Sequence, residues 1–318
     1  MKVLVTGGTG YVGRAIVRAL NRAGHTSVVF ARTASRSELP GRLVDGDIRD
    51  RAAIDRAADG VDAICHTAAL VSIWRRRRQD FDDVNVGGLE NAIEVCRARG
   101  LSRLIYTSSF LALPPAGHER PIEANDYQRT KVAGLRVARA AVGIGTPLIT
   151  LAPGVIYGPG SSTEGNLVGR LVHDHLRRRL PGIIGGDRQW SFAYVDDVAA
   201  AHVAALTRGA VGHEYVLGGE NAPQIRMFEV LRRLRGTPLP RQIPYGVATA
   251  LGGLGEGLAW LTGRMPLLTR GTVEIFRYDW PLDSGRAADA LNYTFTPLEQ
   301  GLPSVLPAGP TPAPGSRL

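Results

Sequence analysis

Lysine is almost missing from this chain: of 38 basic residues only Lys2 and Lys131 are lysines, which leaves 36 arginines. Cysteine is equally scarce. Cys65 and Cys96 stand far apart without metal-ligand spacing, which excludes a disulfide framework and a thiolate metal centre. No run reaches about eighteen consecutive apolar residues, so no membrane span is expected. The opening MKVLVTGG enters an apolar strand at once and leaves no room for a leader, so no secretory signal is expected. Compositional extremes are also lacking: 44% hydrophobic and 21% charged residues exclude a disordered or fibrous chain. Together these point to a globular, cytoplasmic, metal-free protein.

The net charge is +9. A basic field attracts nucleic acid, anionic lipid and phosphorylated ligands alike. The arginines are scattered except in WRRRRQD (Trp74 to Asp80) and LRRRL (Leu176 to Leu180), and no nucleic-acid motif accompanies them. Solvated faces are the simpler reading, an anionic substrate or surface the alternative. No nucleic-acid partner is expected.

The first half alternates short apolar runs with helical patterns. Val3 to Thr6, Ser27 to Ala31, Ala63 to His66, Arg103 to Thr107 and Leu148 to Leu151 read as buried parallel strands. Helical stretches lie between them at Val12 to Ala23, Arg51 to Ala58, Asp83 to Arg99 and Glu123 to Ala141. This rhythm predicts an α/β fold, a Rossmann-like doubly wound parallel sheet, with a smaller, mainly helical C-terminal substrate domain. Residues 1–157 and 189–221 form the expected dinucleotide-binding domain, and 158–188 (a Gly/Pro/Ser loop, then a helix through Leu180) and 222–302 the substrate domain. The tail 303–318 has five prolines in sixteen residues and is expected to be unstructured. Tyr245 to Gly263 is the most lipid-like stretch, with Glu256 its single charge. Its glycines make it a poor isolated helix, and a buried or pocket-lining helix is expected in preference to a peripheral membrane contact.

Gly8, Gly10 and Gly13 follow the G-x-G-x-x-G spacing, and Gly7, Gly10 and Gly13 give an overlapping G-x-x-G-x-x-G. Glycines permit a tight turn and close approach to a pyrophosphate, while the helix starting near Tyr11 and Val12 aims its N-terminal dipole at the negative charge. The motif is weak alone. Its place between an apolar strand and a helix is the context the fingerprint requires. Where NAD enzymes carry an acidic residue after the second strand, Arg32 stands instead, with Arg36 close behind. A guanidinium there can clamp a 2′-phosphate, so NADP is expected in preference to NAD. Asp47 and Ile48 are candidates for the adenine contact.

NDYQRTKVAG (Asn125 to Gly134) holds the second lysine. On a helix Tyr127 and Lys131 stand at i and i+4 and share one face. A free tyrosine titrates near 10. A neighbouring ammonium is expected to stabilise the phenolate and lower that value, and a compact ammonium with rotatable donors reaches ribose hydroxyls better than a planar guanidinium. LIYTSSF (Leu104 to Phe110) ends a strand with two serines, and strand ends of an open parallel sheet face the cofactor crevice. Ser109 is the expected donor to a substrate oxygen that Tyr127 protonates.

With TGGTGYVG, CHTAALV, VNVGGLENAIE, RLIYTSSF, YQRTK, APGVIYGPG, WSFAYVDDVAAAHVAAL and GRMPLLT in place, residues 1–302 resemble the extended short-chain dehydrogenases/reductases of NAD-dependent epimerase/dehydratase type. The branch most similar holds dihydroflavonol reductases, 3β-hydroxysteroid dehydrogenases and farnesol dehydrogenases. The resemblance implies that Ser109, Tyr127 and Lys131 are catalytic and that Ala68, Ala69, Pro153 and Val155 line the cofactor. It further implies that Asn85 holds the active-site helix near the nicotinamide, and that helices Asp83 to Arg99 and Glu123 to Ala141 form a homodimer interface. Two departures stand out. The loop between Ser109 and Tyr127 is short for this branch, and Ala152 replaces an arginine common in sugar-acting relatives.

The same superfamily includes nucleotide-sugar epimerases and dehydratases. These usually hold the substrate pyrophosphate with an arginine four residues before the tyrosine of the YVDD motif; here Trp190 occupies that place, with Arg188 the one nearby substitute. A substrate-facing Trp190, the Tyr245 to Gly263 segment and Met265 to Leu268 suit an apolar small molecule better. An NAD(P)-dependent alcohol or carbonyl oxidoreductase is therefore expected, ahead of a nucleotide-sugar enzyme and of a non-catalytic NADP sensor.

Overall fold

The structure, a computed structural model, describes residues 1–160 and 165–306. Its strands are β1 (Lys2–Thr6), β2 (Thr26–Ala31), β3 (Arg42–Asp45), β4 (Ala63–His66), β5 (Arg103–Thr107), β6 (Leu148–Pro153), β7 (Val155–Tyr157), β8 (Gln189–Tyr194), β9 (Glu214–Leu217) and β10 (Glu220–Pro223). Its helices are α1 (Tyr11–Arg22), α2 (Arg51–Ala57), α3 (Gln79–Asp82), α4 (Gly88–Ala98), α5 (Asp126–Gly143), α6 (Leu167–Leu176), α7 (Val195–Thr207), α8 (Arg226–Arg235), α9 (Tyr245–Thr262), α10 (Arg270–Ile275), α11 (Gly285–Leu291) and α12 (Leu298–Gly301). A π-helical turn over Asp83–Gly87 joins α3 to α4.

Seven parallel strands form the main sheet in the order β3-β2-β1-β4-β5-β6-β9. The strands read as continuous apolar runs because both faces are covered. Within β1, Val3 and Val5 enter the core beneath α1 and α7, while Leu4 enters the opposite core beneath α2 and α4. All three are fully buried, and each such side chain contributes about 1.5–3 kcal/mol of transfer free energy. The strand order reverses between β1 and β4, so a crevice opens at their carboxyl ends.

All five strands expected in the first half form. The edge strand β3 was not anticipated, because RLVD carries only two apolar residues and none of its side chains is fully buried. Three further departures concern the second lobe. β8, expected in the dinucleotide-binding part, pairs instead with β7 and β10 in a separate three-stranded sheet. α6 ends at Leu176 rather than Leu180, where Arg178 takes a positive φ of 57°. The proline-rich tail begins in a 3-10 turn over Leu302–Val305, and residues 307–318 lie outside the described residues. Among the described residues no helix is long and apolar enough to cross a membrane.

Candidate active site

The turn after β1 is shaped by what its glycines lack. Gly7 has φ +68°, and a methyl there would lie 2.7 Å from the Ala68 backbone; a methyl on Gly13 would lie 2.2 Å from the Gly7 carbonyl. Gly7 N donates to Phe30 O at 2.8 Å and Gly10 N to Gly7 O at 2.8 Å, which folds the turn against the ends of β2 and β4. α1 then starts at Tyr11 with no side-chain cap and no acidic residue in its first turn. Its orphan amides are open to an anion. The buried Tyr11 hydroxyl has no partner among the described residues, and Val12 packs half-buried on the core. The cradle therefore fits a dinucleotide pyrophosphate.

Arg32 and Arg36 stand exposed just past β2, two and six residues beyond the Phe30 carbonyl that holds the glycine turn. Asp47 is held by Arg49, whose Nε and Nη2 donate at 2.9 and 2.6 Å. This bond, with Arg32 contributing more weakly, keeps the Asp47 carboxyl below its ordinary range. Ile48 is buried and packs against Gly88. Ala68 and Ala69 follow β4 half-buried, with the Ala68 backbone against Gly7. Pro153 and Val155 sit buried where β6 passes into β7.

Asn125 caps α5 by accepting from Gln128 N at 2.8 Å, and this sets Tyr127 and Lys131 one turn apart. Lys131 is 4% exposed and its Nζ donates to Thr107 O at 3.1 Å, 5.9 Å from the centre of the Tyr127 ring. Burial pushes the ammonium down to about 8. The Tyr127 phenol was expected to be lowered by this neighbour. Instead burial pushes it up to about 12, opposed by its hydrogen bond with Ser109. Burial disfavours the charged form of each group, the phenolate and the ammonium alike. Ser109 Oγ also accepts from Leu111 N at 3.2 Å.

Asn85 lies buried in the π-helical turn. Its Oδ1 accepts from Leu70 N at 2.6 Å, and its Nδ2 donates to Leu70 O at 3.2 Å and Thr130 Oγ1 at 2.9 Å. It thus ties the lip after β4 to the helix of Tyr127. Two supports were missed from sequence. His202, buried on α7, donates from Nδ1 to Val198 O at 2.7 Å and accepts at Nε2 from Thr107 Oγ1 at 2.8 Å, which props the residue whose carbonyl holds Lys131. Gln128 is fully buried and spans Leu111 O and Ala124 N. His202 lies inside a motif quoted for other residues, and a histidine in an otherwise alanine-rich helix was its only signal.

Trp190 shares an apolar cluster with Tyr127, Leu111 and Trp280, almost wholly buried with its ring 4.8 Å from that of Phe276. Arg188 pairs with Asp187 at 3.0 Å and Asp279 at 3.3 Å, so two carboxylates already answer its charge. Among the described residues no cluster of three metal-ligating side chains occurs.

Comparison with known proteins agrees with this geometry. The chain is 34% identical to sterol demethylase protein B of Methylococcus capsulatus, over 76% of each chain. It is 31% identical to the 2-alkyl-3-oxoalkanoate reductase of Stenotrophomonas maltophilia, over 84% of this chain and 87% of that one. The crystal structure of gox2253 superposes with a TM-score of 0.80 at 27% identity, covering 95% of this chain and 96% of that one. A UDP-glucose 4-epimerase structure from Thermotoga maritima reaches 0.77 at 21% identity, covering 96% and 97%, and so shares the fold. The sequence model of the NAD dependent epimerase/dehydratase family matches residues 3–218. The chain therefore belongs to that family, within the extended short-chain dehydrogenases/reductases.

Proposed function

We propose that this protein is an NAD(P)-dependent oxidoreductase that interconverts an alcohol and a ketone or aldehyde on a mainly apolar small molecule. The observation that carries the proposal is the apolar cluster on which Tyr127 packs, which also holds Leu111 and Trp190, together with the pairing of Arg188 with Asp187 and Asp279. Relatives described as reductases at 30% identity or more support it. Exposed Arg32 and Arg36 beside the glycine turn support NADP over NAD.

The nicotinamide group, when bound in the cradle, supplies or accepts the hydride. Gly7, Gly10 and the amides of Tyr11 and Val12 would hold its pyrophosphate, with Ala68, Ala69, Pro153 and Val155 flanking and Asn85 bracing the lip. Lys131 offers donors for ribose hydroxyls from an ammonium anchored on Thr107 O. Ser109 polarises the substrate oxygen, and Tyr127 gives that oxygen its proton. A phenol held near 12 is protonated at neutral pH, which fits a general acid for carbonyl reduction.

Reduced-nicotinamide absorbance with apolar ketones, apolar aldehydes and UDP-sugars tests the proposal. We expect oxidation of the cofactor with a carbonyl compound, faster with NADPH than with NADH. Turnover of UDP-sugars alone would make it a sugar-nucleotide enzyme, and cofactor binding without any turnover would make it a sensor.

A further inference from the structure

Helix α9 turns its small residues inward and its large ones outward. Ala248, Gly252 and Ala259 are buried, and a methyl on Gly252 would lie 2.9 Å from Arg270 N, so this stripe permits close packing against the start of α10. Val247, Leu251, Leu254, Leu258 and Leu261 recur at steps of four and three and share one outer face. Leu254 is 73%, Leu258 61% and Leu261 85% exposed. Trp260 in the last turn joins the patch, and Met265 and the 99% exposed Leu267 extend it past the helix end. The expectation that this segment is buried or lines a pocket is therefore corrected: the glycines buy close packing on the inner side only. Contiguous apolar surface of this kind marks an interaction site.

The rim supplies the identity of the partner. Trp74 meets Trp260 edge-on at 6.2 Å, and Ser72 Oγ lies 3.5 Å from Met265 Sδ, which pins the Trp74 to Arg78 segment beside the C-terminal end of α9. Arg76 reaches Gly263 and, like Arg264, is exposed; Arg77 and Arg78 are exposed too, paired with Asp80 and Asp126. The helix's single carboxylate, Glu256, faces away and accepts from Arg270 N and Nε, both at 2.8 Å. Apolar face, tryptophans at its edge and a cationic border match a helix lying in the headgroup region of an anionic bilayer.

We propose that this face docks the protein on an anionic lipid surface with α9 lying flat. The proposal does not rest on the reaction proposed above. Flotation of the full chain with vesicles tests it, using phosphatidylcholine alone and phosphatidylcholine with about 30 mol% phosphatidylglycerol. We expect flotation with the anionic vesicles, and binding at least about ten-fold weaker to the neutral ones or in high salt. A Leu254→Glu, Leu258→Glu double variant is expected to lose flotation at unchanged melting temperature and turnover, since neither residue touches the catalytic groups. An Arg76→Ser, Arg264→Ser variant is expected to lose the preference for anionic vesicles. Absence of flotation by the wild-type protein would overturn the proposal. So would a concentration-dependent dimer abolished by the leucine changes, which would assign the face to a second copy; equal binding to both vesicle types would overturn the anionic assignment.

Discussion

Lys131 is the place where an arginine-writing sequence keeps an ammonium, and its surroundings explain why. A compact cation fits a buried position anchored on the Thr107 carbonyl, whereas a guanidinium with five fixed donors would not. The i, i+4 relation with Tyr127 was legible in the sequence, as was Ser109 at a strand end. The depth of burial was not, because it depends on chain brought in from elsewhere, the end of β5 at Thr107 among it. The lowered ammonium carries a prediction. Below about 8 Lys131 is charged, and above it the charge is lost, so cofactor affinity should weaken as pH rises through that value. Lys131→Met, similar in length and uncharged at every pH, should retain the fold, lose turnover by about 10²-fold or more, and show no such pH dependence. Fluorescence titration of the cofactor between pH 6 and 10 checks this; wild-type affinity flat across that range would count against an ammonium role.

At the scale of elements, the sheet was readable because strands buried on both faces are apolar throughout; α5 was readable too, although its start was placed at Glu123, ahead of the Asn125 cap that sets it. β3 escaped notice because an edge strand with one half-exposed face needs little apolar content. α9 misled for the opposite reason: an apolar, glycine-rich segment looks like core, and sequence cannot say which stripe faces inward. The π-helical turn at Asp83–Gly87 was read as ordinary helix, yet it is where Asn85 joins two parts of the site. Asn85→Ala would leave Leu70 N, Leu70 O and Thr130 Oγ1 short of a partner. We expect a loss of about 1–3 kcal/mol in denaturant unfolding, with turnover falling more than cofactor affinity. A variant as stable and active as wild type would show that the clamp does not position α5.

Over the whole molecule, two buried neutral histidines tie stability to pH. Burial pushes His202 down to about 4; burial first, then the Lys131 charge, pushes His66 down to about 3. Unfolded histidines titrate near 6.5. A depressed folded value contributes stability that is present above 6.5 and lost as pH falls toward the folded value. Unfolding free energy should therefore decline between pH 6.5 and about 4, by a few kcal/mol at most. His202→Gln, which retains a side chain able to meet Thr107, should decline less steeply. Urea unfolding at several pH values measures this, and constant stability from pH 7 to 4.5 would contradict it. The doubly wound order and the crevice between β1 and β4 followed from the βαβ rhythm. The separate sheet of β7, β8 and β10 did not, since a strand reads alike in either sheet.

The most direct test of the catalytic account is single-turnover hydride transfer by Tyr127→Phe with a carbonyl substrate that the wild-type enzyme reduces. A phenol that donates the proton predicts cofactor affinity within about three-fold of wild type and hydride transfer slowed by about 10²–10⁴-fold. Transfer at the wild-type rate would remove Tyr127 from the chemistry.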